Sequence, residues 1–171
     1  MDERQVDFAI RHALSLTNTD FLGVYPRDRI PSTSNITRYP CCYVANTDTH
    51  DQSGSHWVAF YLESTTNIEF FDSYGMHPSF YDFNVGPIMH YNSDSFQRTN
   101  TDVCGEYCIL FLSLRSHKQT LITIIRRLKS HHPHTDQSVA LFVENLLLSK
   151  SLTLPQRGNG QSCSSRSAYK K

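Results

Sequence analysis

The run Trp57-Val58-Ala59-Phe60-Tyr61-Leu62 has no face to offer to water. Side chains of a β-strand alternate between two sides, so this strand must lie at the centre of a sheet that is covered on both faces. Two neighbouring runs, 41–46 and 68–73, are rich in aromatic and β-branched residues and supply flanking strands. Only Ser64-Thr65-Thr66-Asn67 separates the second run from the third, a link short enough for a hairpin. At 171 residues and 39% hydrophobic, the chain is long enough for one such core and short for two.

Helical periodicity surrounds these strands. Val6, Ala9, Ile10, Ala13 and Leu14 predict a helix over about 3–16, and Val103, Tyr107, Leu110, Phe111 and Leu114 predict a core helix over about 102–114. Two more are expected near 120–129 and 138–148, around the loop His131-His132-Pro133-His134. The segment 21–40, with three prolines and many Ser, Thr and Asn residues, reads as a loop anchored by Phe21, Leu22, Val24 and Ile30. The expected fold class is therefore α+β: a single domain over 1–150 with a small mixed or antiparallel central sheet packed by helices. A basic, flexible tail is expected over 151–171.

The net charge of zero hides an asymmetry. Residues 1–114 carry 6 Lys and Arg against 14 Asp and Glu, net −8, whereas 115–171 carry 10 against 2, net +8. A basic third is suited to phosphates, so DNA is a candidate partner; solvated helix faces explain the same charges, because no aromatic residues are interleaved with them. No apolar run approaches the ~20 residues of a membrane span, and Met1-Asp2-Glu3-Arg4 is charged where a signal peptide is apolar, so a membrane partner and secretion are not expected. Five cysteines, an odd number, fit a reducing compartment better than a disulfide framework.

Pairing about the 64–67 turn has a chemical consequence. If paired positions sum to about 128–130, Asp72 lies opposite or diagonal to His56, within side-chain reach, whereas an odd register separates them. A carboxylate placed there orients an imidazole and stabilises its charged form. Cys104 falls in the first turn of the core helix, after the capping candidates Asn100, Thr101 and Asp102. A helix N-terminus favours a thiolate, and a cationic His56 nearby would favour it further, so Cys104 is the candidate nucleophile and His56 its base. Gly105 leaves room for a substrate backbone. The oxyanion of an acyl transfer needs donors: the Cys104 N–H is one, and Gln97 is the candidate for the other, with Arg98 its nearest competitor.

The order His56-Trp57, then Phe70-Phe71-Asp72-Ser73-Tyr74-Gly75, then Gln97, then Cys104-Gly105-Glu106-Tyr107-Cys108 resembles the adenovirus endopeptidase (adenain) family. More broadly it resembles the clan shared with SUMO-specific (Ulp-type) proteases. The similarity runs over about 21–114. It implies an α+β thiol protease with a triad of His56, Asp72 and Cys104, a Gln97 oxyanion donor, and Trp57 as the wall of a narrow groove that admits glycine near the scissile bond. Adenoviral enzymes usually have Glu where this chain has Asp72, as SUMO proteases do, while Val103 departs from the Asp usual before the cysteine in the latter. The small size and the Cys-Gly-Glu-Tyr-Cys segment are most similar to adenain-type proteases of adenoviruses and Polinton transposons, which cleave precursor proteins in virion maturation and, in adenoviruses, use DNA and a viral peptide as cofactors.

The expectation is thus a monomeric endopeptidase acting on protein or peptide substrates, in the host nucleus or virion, requiring no metal or cofactor for its chemistry and open to activation by DNA. A deubiquitinase- or deSUMOylase-type isopeptidase uses the same machinery, and an inactive nucleic-acid-binding module is the rival of another class. Cys108, one helical turn after Cys104, reads as packing, and Cys41 and Cys42 point to opposite faces of a strand. His131, His132 and His134 read as a solvated loop.

Overall fold

The computed structural model describes residues 1–151; all but the first residue of the expected tail lies outside them. The chain forms α1 (Glu3–Leu14), β1 (Asp20–Tyr25), β2 (Cys41–Asn46), β3 (Trp57–Leu62), β4 (Ile68–Phe71), β5 (Ile88–Tyr91), α2 (Cys104–Ser116), α3 (Leu121–Ser130) and α4 (Thr135–Ser151). The five strands make one mixed sheet in sequence order, with β3 at its centre. β2, β3 and β4 are antiparallel, whereas β1 and β5 join the edges in parallel to β2 and β4. The architecture is the expected α+β single domain.

Alternation divides the apolar residues between two layers. Cys42, Val44, Ala59, Tyr61 and Phe71 face the helices, while Cys41, Tyr43, Ala45, Val58, Phe60, Leu62 and Phe70 face the other way. The second layer is covered by residues of the two long connections, among them Ile30, Ile36, Tyr81, Phe83 and Val85. The β3 run is therefore buried on both sides, and the adjacent cysteines occupy opposite layers.

α2 is the central helix: Tyr107 to Ser116 are all buried, and it packs against α1, β3, α3 and α4. A helix buried all round must be apolar all round, which its sequence satisfies except at its ends. Phe111 stacks on Phe71 at 4.8 Å, locking α2 to β4.

Two strands depart from the sequence reading. The start of the 21–40 segment, expected to be a loop, lies in β1, whose pairing with β2 shifts between Phe21 and Val24 around Gly23, at φ +131°. An L-residue disfavours that conformation, so the glycine that masks the strand pattern also permits its bulge. β5 was not anticipated, and three of its four residues are exposed. α1 stops at Leu14, with Leu16 left to solvent, and α4 starts three residues before its expected position. Among the described residues no helix is long and apolar enough to cross a membrane.

Candidate active site

The β3–β4 hairpin pairs Ala59 with Phe71 and Phe60 with Phe70, positions that sum to 130. That register puts His56, just before β3, diagonal to Asp72, just after β4. His56 Nε2 donates to Asp72 Oδ1 at 2.7 Å. Asp72 is 0% exposed, and burial alone would neutralise it. Its carboxylate accepts three further hydrogen bonds: the Tyr74 N–H (2.9 Å), the Met76 N–H (3.0 Å) and the Tyr81 hydroxyl (2.8 Å). Burial pushes its pKa up, but the His56 bond and charge with these donors outweigh it and hold the group below its ordinary value of 3.8. Asn92, fully buried, accepts from the Asp72 N–H at 2.9 Å and donates to its carbonyl at 2.6 Å, fixing the backbone.

With Nε2–H given to Asp72, Nδ1 is the ring nitrogen left to exchange a proton with Cys104, whose thiol is close enough to bear on the charge of the imidazole. Burial opposes charge on the His56 ring, yet the bonds to Asp72 and Cys104 raise its pKa to about 9. The Tyr74 ring lies over the imidazole, centroids 4.7 Å apart, and shields it from water.

Cys104 begins α2. Val103 occupies the N-cap and makes no side-chain capping bond, so the capping roles expected of Asn100, Thr101 and Asp102 are not realised. The first amides of the helix are left for other acceptors. Burial pushes the Cys104 thiol up, but the His56 hydrogen bond, the Trp57 N–H, the His56 charge and the Gly105 N–H bring it below the ordinary thiol value of 9.0. Buried Cys108 is pushed the other way, well above that value, chiefly by burial. The pair is thus divided into one thiol disposed to ionise and one that packs.

Gln97 is buried, 4% exposed, in the irregular segment leading to α2. Its Oε1 accepts from the Ser73 hydroxyl at 2.7 Å, and its Nε2 donates to the Thr101 carbonyl at 2.6 Å. An amide has two such hydrogens, so one remains for an oxyanion. The Ser73 carbonyl also accepts the N–H groups of Phe96 (2.8 Å) and Gln97 (3.0 Å). The turn carrying Asp72 is therefore tied directly to the segment carrying Gln97. Arg98 is exposed and donates to the Pro133 carbonyl at 2.8 Å, which turns its guanidinium toward the α3–α4 connection.

Trp57 is half-buried, donates its indole N–H to the Met1 carbonyl at 3.2 Å and lines a cleft of about 470 Å³ with Tyr25, Asn46, Asp48 and His50. Gly105 lies at the contact between α2 and the N-terminal segment. A side chain there would meet Val6 Cγ2 at 3.1 Å and Met1 Cβ at 3.3 Å, so the glycine admits the close approach of α1. His131, His132 and His134 are exposed, and among the described residues no three His, Cys, Asp or Glu side chains converge to hold a metal ion. Tyr74, Ser73, Tyr81 and Asn92 were missed. The first two adjoin Asp72 in sequence and were available to inspection; the last two reach it only through the fold.

No family model and no curated protein matches the sequence. Among solved structures, the chain is similar to the SUMO protease Ulp1 with its catalytic cysteine oxidised to a sulfinic acid, at a TM-score of 0.52 and 13% identity over 87% of this chain and 78% of that one. It is also similar to the C-terminal Ulp1 protease domain in complex with Smt3, the yeast orthologue of SUMO, at a TM-score of 0.53 and 15% identity over 90% of this chain and 78% of that one. At such identities the likeness establishes the fold.

Proposed function

We propose that the chain is a cysteine peptidase in which Cys104 is the nucleophile, His56 the base, Asp72 its orienting acid and Gln97 an oxyanion donor. The observation that carries this reading is the buried His56–Asp72 hydrogen bond at 2.7 Å, beside a Cys104 thiol at the start of α2 that the neighbouring His56 brings below its ordinary pKa. The Cys104 sulfur attacks the carbonyl carbon as a thiolate, its proton already on His56. The developing oxyanion is held by the Cys104 N–H and the spare Gln97 hydrogen. The carbon–nitrogen bond breaks as His56 gives its proton to the amine, leaving a thioester. Water then attacks the thioester, delivering one proton to His56, and the acid departs as the thiolate reforms.

For the substrate, the Cys-Gly-Glu-Tyr-Cys segment favours precursor proteins of viral type cut near glycine, with Trp57 as the groove wall. The Smt3 complex of the similar Ulp1 domain favours the second reading, an isopeptidase for ubiquitin-like modifiers. Exposed Arg126 and Arg127 on α3 support DNA as an activating partner. The full chain is to be tried on fluorogenic peptides ending in Gly-Gly or Gly-Ala, on a SUMO precursor and isopeptide conjugate, and with and without duplex DNA. Hydrolysis of any of these that Cys104→Ser abolishes supports the peptidase reading. Hydrolysis undiminished in Cys104→Ser contradicts it. A preference for short peptides favours precursor processing, and a preference for the folded modifier favours the isopeptidase.

A further inference from the structure

Gln97 lies in a stretch without regular secondary structure, between β5 and α2. An oxyanion donor has to be held to within about 0.5 Å, which a loop of this kind does not achieve alone. Ser73 fixes it from the side of the acid. On the other side the amide donates to the Thr101 carbonyl, and Thr101 is in turn held from α4.

The group responsible is Asp136, in the first turn of α4, where a carboxylate is favoured by the helix dipole. One of its oxygens, Oδ2, accepts from the Thr101 hydroxyl at 3.0 Å and from the Arg98 N–H at 3.3 Å. The Thr101 hydroxyl shares its hydrogen with the Arg98 carbonyl, at 2.9 Å. The other oxygen, Oδ1, accepts from the Tyr107 hydroxyl at 2.9 Å. Tyr107 is fully buried on α2, three residues after Cys104. One carboxylate thus joins the two residues flanking the turn after Gln97 to the helix that carries Cys104.

We propose that Asp136 is a positioning residue for the oxyanion donor: it clamps the 97–101 segment to α2 and so sets the Gln97 amide relative to the Cys104 sulfur. This rests on the peptidase reading, since a clamp on Gln97 matters to catalysis only if Gln97 stabilises an oxyanion. The clamp makes no hydrogen bond to the His56–Asp72 pair, whose partners are separate. The tie between the Asp72 turn and the Gln97 segment runs through Ser73 and not through Asp136, so loss of the clamp is expected to spare thiolate formation and to slow attack on a carbonyl.

Two reagents for Cys104 separate these events. Acylation by p-nitrophenyl acetate passes through an oxyanion, whereas alkylation by iodoacetamide does not. In the full-length chain, Asp136→Ala is expected to slow acylation about 10- to 100-fold and leave the alkylation rate and its pH profile unchanged. Thr101→Val, which removes one arm of the clamp at little change in volume, is expected to slow acylation in the same direction and serves if Asp136→Ala folds poorly. In a Gln97→Ala background, Asp136→Ala should cause no further loss, because both act on one donor. The clamp is overturned if Gln97→Ala slows acylation while neither Asp136→Ala nor Thr101→Val does. It is also overturned if acylation and alkylation fall together, or if the Asp136 loss persists in full without Gln97. Wild-type acylation by Gln97→Ala itself overturns the oxyanion assignment, and the clamp with it.

Discussion

At His56 burial and hydrogen bonding oppose each other, and the hydrogen bonds prevail: the ring stays protonated up to about 9 instead of 6.5. Cys104 is displaced in the complementary direction, below 9.0. Hydrolysis needs the thiolate and the imidazolium together, so activity should rise with pH as Cys104 ionises and fall as pH passes through about 9. A kcat/KM profile over pH tests this, and an alkaline limb near 6.5 would contradict the geometry. Asp72→Asn removes the charge that supports the imidazolium and should move that limb toward acid. Stability follows the same signs. The contribution of His56, whose pKa is raised, is complete below 6.5 and lost as pH rises through about 9. That of Asp72, whose pKa is lowered, is present above 3.8 and lost as pH falls through its folded value.

The element that sets Asp72 is the turn after β4. Gly75 has φ +69°, its N–H donates to the Asp72 carbonyl at 2.9 Å, and a Cβ there would lie 2.6 Å from the Asp94 carbonyl group. Gly75→Ala is accordingly expected to destabilise the fold by more than ~1 kcal/mol and to shift the alkaline limb of activity, read by urea unfolding and the same pH profile. An unchanged unfolding midpoint would show that the turn yields freely. The β3–β4 hairpin was legible in the sequence because both strands alternate between two buried layers and four polar residues fix the link. Its register, which the sequence left open, is the even one, and it brings His56 and Asp72 together. β1 was hidden by Gly23 and the prolines that follow, and β5 by its short, exposed run, which carries no alternation. The place of Cys104 at the start of α2 was legible from periodicity, and that of Gln97 in the approach to it from order. Tyr81, Asn92 and Asp136 were not, because each acts across a tertiary contact that no local pattern records. The packing of α1 against Gly105 was not legible, because α1 comes from the opposite end of the chain.

Across the whole molecule, α2 is a strut about 20 Å long, with Cys104 at one end and Arg115 at the other. Arg115 is 5% exposed and donates to both oxygens of buried Glu69 on β4 (2.7 and 3.1 Å), to Glu63 (2.8 Å) and to the Gln119 carbonyl (2.7 Å). Its guanidinium also lies over the Tyr61 ring at 4.4 Å. The strut is thus fastened to the sheet that carries His56 and Asp72. Arg115→Ala leaves the Glu69 carboxylate buried and unpaired, with an expected cost of about 3–5 kcal/mol in urea unfolding. Glu69→Leu should restore part of that stability in the Arg115→Ala background, because the unpaired charge is then gone.

The central claim, that His56 and Cys104 form an ion pair poised for attack, is tested most directly by limiting iodoacetamide on the native chain across pH, with each cysteine followed by mass spectrometry. In the wild type Cys104 should react near neutral pH, well ahead of Cys41, Cys42 and Cys108, and His56→Ala should abolish that lead by returning the thiol toward its ordinary range. Equal reactivity of Cys104 in wild type and His56→Ala, or reaction only at the pH of an unperturbed thiol, would contradict the account.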